Sequence, residues 1–203
     1  MIKVSNLSKY FDEFCAVNNI NFSVEPGEIL GFLGPNGAGK STTMKILTGF
    51  LSPTTGEVSV MGYDVLQSAI LAQREIGYLP EGAPAYSDMT VIASLKFIGQ
   101  VRGFTGQELN ERIDSVVRKV ELAPVLNKRV ETLSKGYCRR LGIAQSLIHD
   151  PKVLILDEPT DGLDPNQKHQ VRELIRNLSA DKTVIISTHI LEEVSAVCTR
   201  AMI

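Results

Sequence analysis

Eight residues, Gly34-Pro35-Asn36-Gly37-Ala38-Gly39-Lys40-Ser41, constrain this chain more than any other stretch. They fit the pattern G-x-x-x-x-G-K-[ST] and sit between a short apolar run, Ile29 to Leu33, and a segment of helical character from Lys40 to Leu47. Strand, glycine-rich loop and helix, in that order, are what a phosphate cradle needs. The glycines let backbone N–H groups turn inward around an anion, and the helix starting near Lys40 points its positive dipole end at the same place. Lys40 is placed to reach the β- and γ-phosphates of a nucleotide, and the Ser41 hydroxyl to sit on Mg2+. The plain alternative is a loop that merely turns; the flanking strand and helix weigh against it.

A second apolar run, Val153 to Leu156, ends in two carboxylates, Asp157 and Glu158. Alternate strands of an α/β sheet bring such ends to the same edge as a glycine-rich loop. There Asp157 can hold Mg2+ through water, which leaves Glu158 to orient or deprotonate an attacking water. Taken alone the pair is a weak signal, because strands often end in solvated acids. Beside the first motif it points to nucleotide hydrolysis.

Around these motifs, Ile2 to Val4 and Ile20 to Val24 alternate like half-buried strands, and Thr183 to Ser187 reads as a buried one. From about Ser87 to Leu147 the pattern turns helical. Thr105 with Glu108 predicts a capping box there, and Leu109, Ile113, Val116, Val117 and Val120 recur on one helical face. A later helix has Asp164 as N-cap, Pro165 in its first turn and a stripe at Val171, Leu174, Ile175 and Leu178. Strands separated by helices predict a parallel α/β core with the helical block inserted between its halves. The 203 residues suit one domain, with 1–86 and 148–203 as the core and 87–147 as an inserted helical subdomain. Ala201-Met202-Ile203 looks like the start of a further strand, so the natural protein is expected to continue.

Composition narrows the classes of function. With 21 Lys+Arg against 23 Asp+Glu, the formal net charge of −2 argues against a nucleic-acid binder driven by net charge. A hydrophobic share of 43% with 22% charged residues lies in the globular range, away from disorder. Cys15, Cys138 and Cys198 are odd in number and far apart, which gives neither a disulfide framework nor a metal spacing and suits a reducing compartment. The first residues lack an apolar signal segment, and no stretch approaches the ~18 apolar residues of a membrane span. A soluble chain is expected, with any membrane role exercised through a partner.

Taken in order, Gly34 to Ser41, Leu133-Ser134-Lys135-Gly136-Tyr137, Asp157-Glu158, Asp161-Gly162-Leu163-Asp164 and His189 resemble the ATP-binding cassette (ABC) ATPases over essentially the whole chain. The resemblance implies an α/β fold: a P-loop NTPase core with a mainly parallel sheet, an N-terminal antiparallel β subdomain and an inserted α-helical subdomain. It implies ATP and Mg2+ as ligands, with Gly34, Pro35, Asn36, Gly37, Ala38, Gly39, Lys40, Ser41 and Thr42 around the phosphates. Ser41, Asp157 and Glu81 would serve the metal. Glu81 stands where the family carries Gln, a carboxylate for a carboxamide that keeps an oxygen donor suited to a hard cation. Phe11, with Tyr10 beside it, aligns with the family's adenine-stacking aromatic, the alternative being a core residue.

By the same resemblance the catalytic set is Lys40, Glu158 and His189, the histidine contacting the γ-phosphate and positioning water beside Glu158. Leu133 to Tyr137 looks like a variant of LSGGQ, which completes the nucleotide site of the opposite subunit. Ser134 would cap the following helix, and its hydroxyl, the Gly136 N–H and the helix dipole would face a γ-phosphate. Lys135 and Tyr137 depart from the family's Gly and Gln. Asp161 to Asp164 looks like the loop that joins two sites across a dimer.

The implied function is an ATP-hydrolysing subunit that powers an ABC transporter, two copies closing head to tail on two Mg-ATP. Its implied partners are a second copy and an integral membrane permease that docks near Glu81 and the helical block, with no nucleic acid. Its implied place is cytoplasmic, peripheral on the inner face of the membrane. Tyr78 to Glu81 and Leu133 to Tyr137 resemble subunits of bacterial exporters of drugs, lipids or polysaccharides, or gliding-machinery components, more than nutrient importers. One alternative is a soluble ABC-type ATPase acting on ribosomes or DNA, for which a second cassette or long coiled-coil insertion is missing. Another is a regulatory module that binds ATP without turnover, against which Lys40, Asp157, Glu158 and His189 argue.

Overall fold

The computed structural model describes residues 1–203. The chain begins with an antiparallel hairpin, β1 (Ile2–Phe11) and β2 (Phe14–Val24), that turns at Asp12-Glu13 with Asp12 in the left-handed region. β3 (Ile29–Leu33) leads through the glycine-rich loop into α1 (Lys40–Leu47), as the sequence predicts. β4 (Thr55–Val60), β5 (Tyr63–Asp64), α2 (Ala69–Arg74) and β6 (Ile76–Leu79) follow. The helical block comprises α3 (Val91–Val101), α4 (Gly106–Lys119) and α5 (Lys135–Leu147). The chain then runs through β7 (Val153–Asp157), α6 (Pro165–Ser179), β8 (Thr183–Thr188), α7 (Leu191–Val197) and β9 (Arg200–Met202).

Two sheets result. One is antiparallel, in the order β2-β1-β4-β5; the other is parallel throughout, in the order β6-β7-β8-β3-β9. β7 and β8 are buried along their whole length, which is why their middles, Val153 to Leu156 and Val184 to Ile186, are apolar without alternation. The period of two still sorts their side chains. Val153, Ile155 and Ile185 face α1 and the antiparallel sheet, packing with Met44, Leu47, Ile2 and Val58. Leu154, Leu156, Val184 and Ile186 face the other way, into a core shared with α3 to α6. No helix is long and apolar enough to cross a membrane.

The structure amends two local expectations. β1 and β2 extend well beyond Ile2–Val4 and Ile20–Val24, because positive φ at Asn6 and Asn19 and shifts of register break the alternation that defined the shorter segments. The capping box at Thr105 does not form. Thr105 stands at the N-cap of α4 with no side-chain hydrogen bond, Gly106 enters the helix at φ +58, and Glu108 binds Arg112 Nε at 3.0 Å instead.

Candidate nucleotide site

The glycine-rich loop is shaped by its surroundings as well as by its own residues. Gly39 occupies the N-cap of α1 at φ +86, and a Cβ there would lie 2.4 Å from the Ala16 carbonyl oxygen, so only glycine fits. With no side chain capping α1, its first N–H groups remain available to an anion. Lys40 is buried beside them; its Nζ donates to the carbonyls of Gly34 at 2.7 Å and Pro35 at 3.1 Å. The ammonium also lies 3.8 Å from Glu158 Oε1.

Sheet order brings the other parts to the same edge, because β8 lies between β7 and β3 and all three run parallel. Asp157, 1% exposed, ends β7 opposite Ser187. The Ser187 hydroxyl donates to Asp157 and accepts from the Glu158 N–H at 3.0 Å, so one serine ties both acids to β8. Ser41 Oγ lies 3.3 Å from Asp157 Oδ1. Glu158 sits at φ +48, a strained conformation for a residue with a Cβ, and the chain leaves the strand direction there. His189, just beyond β8, places Nδ1 3.0 Å from Glu158 Oε2, so the proton of the ring faces the carboxylate. Burial pushes the Glu158 carboxyl above its ordinary range, and the nearby His189 and Lys40 offset this only in part.

Above these residues opens a cleft of about 460 Å3 whose walls include Phe11, Phe14, Asn36, Gly37, Gly39, Lys40, Ser41, Thr42, Glu81, Glu158, Asp161 and His189. Gly34 and Pro35 act from beneath through their carbonyls on Lys40, and Ala38 lines a separate hollow with Cys15 and Val17. Phe11 is 45% exposed, which removes the reading of it as a core residue. Lys9 Nζ stands 5.0 Å over its ring. Phe14, paired with Phe11 across the hairpin and 63% exposed, shares the wall. Sequence reasoning missed Phe14, although an aromatic three residues after Phe11 across a two-residue turn is a signal that could have found it.

Ser41, Asp157 and Glu81 offer only oxygen donors, a set that fits a hard cation such as Mg2+. Negative charge gathers here. The Tyr78 phenol is pushed up to about 12, chiefly by burial and further by Asp157 and Glu81. No cluster of three acidic, His or Cys side chains forms a cage, so a cation would draw its remaining ligands from phosphate and water.

Ser134 and Gly136 lie elsewhere. Ser134 caps α5, its exposed hydroxyl accepting from the Tyr137 N–H at 3.4 Å. Gly136 is buried, and a Cβ on it would fall 2.9 Å from Gln167 Cδ. With Tyr137, Arg140 and Gln167 they line a shallow depression of about 180 Å3 that shares no residue with the Lys40 cleft. Asp164 caps α6, accepting from the Gln167 N–H at 2.9 Å, and the Lys135 ammonium lies against Gly162 in the intervening loop. The chain thus unites Phe11, Lys40, Ser41, Glu81, Asp157, Glu158 and His189, and holds Ser134 and Gly136 apart.

Fold and cleft together define a P-loop nucleotide-binding domain. Comparison with known proteins places it more closely. The family model described as ABC transporter matches residues 17–161. An uncharacterised ABC transporter ATP-binding protein of Bacillus subtilis is 39% identical over all of this chain and 67% of its own length. A Nod factor export ATP-binding protein I of Cupriavidus metallidurans is 36% identical over 98% of this chain and 66% of its own length. A probable multidrug ABC transporter ATP-binding protein of Escherichia coli is 38% identical over 95% of this chain and 34% of its own length. The chain therefore spans about two thirds of the first two relatives and a third of the last. Among solved structures, cbiO1 from Clostridium perfringens, part of the ABC transporter complex cbiONQ, superposes with a TM-score of 0.87 at 29% identity, covering 97% of this chain and 81% of that one. A dimeric bacterial ABC transporter cassette superposes at 0.85 and 27% identity, covering 97% of this chain and 91% of that one. The chain belongs to the ABC transporter family and is one of its ATP-binding domains.

Proposed function

We propose that this chain binds Mg-ATP in the Lys40 cleft, hydrolyses it to ADP and phosphate, and powers a transporter by closing head to tail with a second copy. The Lys40–Glu158–His189 constellation carries this reading: a cation, a carboxylate and an imidazole converge within 3.8 Å beside a phosphate cradle. Lys40 leaves the Gly34 and Pro35 carbonyls for the phosphates as ATP enters. Glu158, its basicity raised by burial, takes the proton of the attacking water. His189 holds that carboxylate in place and faces the γ-phosphate. Ser41, Asp157 and Glu81 hold the metal, whose chemistry is to neutralise charge on the phosphates. Phe11 stacks on adenine.

Ser134 and Gly136 act in the cleft of the second copy, which fits their exclusion from the cleft of their own chain. ATP shifts the pair toward the closed state because only that state offers its phosphates both sets of contacts. Residues 87–147 form the inserted helical subdomain, against which an integral membrane permease docks near Glu81. The chain then works on the inner face of the membrane. Names among its relatives include Nod factor export and multidrug transport, which favours export by this chain too. Phosphate release with ATP tests the reading: the wild-type chain should turn over, and Glu158→Gln should bind ATP as tightly while turnover falls by about 1000-fold, the proton acceptor being lost. Retained turnover in Glu158→Gln would refute the assigned base.

A further inference from the structure

The most buried carboxylate outside the cleft is that of Glu193, 4% exposed, in the first turn of α7. One of its oxygens accepts from Thr188 Oγ1 at 2.6 Å and the other from Lys168 Nζ at 3.0 Å. The buried Thr160 side chain lies close enough to help hold it charged, and the Arg172 guanidinium lies 4.0 Å away. Burial alone would push its carboxyl up; the Thr188, Thr160 and Lys168 side chains outweigh this and hold it below its usual range, so it stays charged.

Two of these neighbours adjoin the reacting groups. Thr188 precedes His189, and its hydroxyl accepts from the Ile190 N–H at 3.1 Å, which pins the backbone on both sides of the histidine. Thr160 is two residues beyond Glu158, in a turn closed by the Asp161 N–H on the Glu158 carbonyl at 3.2 Å. A single buried anion therefore binds the segment carrying His189 and lies beside Thr160 of the segment carrying Glu158, and the His189 and Glu158 side chains meet at 3.0 Å.

We propose that Glu193 is a positioning residue for hydrolysis, setting the Glu158–His189 contact through Thr160 and Thr188 without touching nucleotide. The assignment rests on the hydrolysis reading above. It predicts that Glu193→Gln, which keeps the shape and loses the charge, lets both segments drift while the phosphate loop stays put. Near-attack geometry is steep enough that kcat for ATP should fall about 10- to 100-fold with KM changed less than about twofold.

The test uses the chain with its three histidines isotopically labelled in the ring. In Glu193→Gln, and separately in Thr188→Val should the first variant fail to fold, the His189 signals should shift while those of His149, at the far end of the sheet beside Ile76, stay in place. Added to His189→Ala, Glu193→Gln should lower kcat by less than about twofold, because residues acting through one contact are not additive. Unmoved His189 signals in a folded variant, or equal losses of kcat in both backgrounds, would overturn the assignment. A wild-type chain without turnover would overturn the hydrolysis reading, and the ring signals would still decide the role of Glu193.

Discussion

The cleft around Lys40 and the depression around Ser134 are both built on the start of a helix, and they use it differently. At α1 the N-cap is a left-handed glycine with no side-chain bond, so orphan N–H groups face the cleft; at α5 the cap is a serine whose exposed hydroxyl already binds the helix. Neither helix has an acid in its first turn, which leaves the positive dipole end uncancelled in both. Around α1 the chain supplies a cation, a base, an imidazole and oxygen donors for a metal. Around α5 it supplies a hydroxyl and a close-packed glycine, and the carboxylate that shares the depression, Glu121, is paired with Arg140 at 2.8 Å. On the proposed function, the first region does the chemistry on a phosphate and the second completes the site of another copy.

The contrast breaks most visibly at Lys40. Lys40→Ala removes charge-assisted contacts worth about 1.5–3 kcal/mol each, so Mg-ATP affinity should fall by about 100-fold or more in equilibrium titration. Ser134→Ala should leave the affinity of the separated chain unchanged and lower kcat by about tenfold, with about 1 kcal/mol lost from α5 as the cap disappears. An affinity loss in the separated chain would place Ser134 in its own cleft, against the geometry. Glu81→Gln is a subtler probe, since it removes one negative charge from the metal side of the cleft; the Mg2+ concentration needed for half-maximal ATP binding should rise by about two- to fivefold.

Acidity separates the cleft from the rest of the chain. Because Glu158 is held above the usual carboxylate range, the acid limb of kcat should also lie above that range. His149 acts on stability instead. Burial first, then the nearby Arg102, lowers its pKa to about 4, while an unfolded histidine titrates near ~6.5. The unfolded chain alone takes up that proton between these values, so stability is full above about pH 6.5 and is lost as pH falls toward 4. Melting temperature should decline over that window, and less so in His149→Gln.

The parts of the molecule that a sequence states plainly are those set by local chemistry. β3, the glycine-rich loop and α1 carry their own turn residues and an unbroken apolar run, and Asp164 and Ser134 cap their helices as their side chains allow. The hairpin of β1 and β2 was only half legible, because positive φ at Asn6 and Asn19 resets the side-chain alternation that a period of two relies on. Phe14 escaped notice because its place in the cleft depends on the turn at Asp12-Glu13. Glu108 met the motif of a capping box and was claimed by Arg112 one turn away, which spacing alone could not decide. Ser187 and Glu193 left no trace in any motif. Each acts by bridging elements about thirty residues apart or nearer, and only the order of strands reveals the bridge.

The division of labour between the two regions can be read from the mass of Glu158→Gln in solution. By light scattering the variant should be a monomer with Mg-ADP and a dimer with Mg-ATP, because only the intact γ-phosphate offers the Ser134 surface of a second copy something to bind. A monomer in both states would rule out that division and leave Ser134 and Gly136 as no more than the start of a helix.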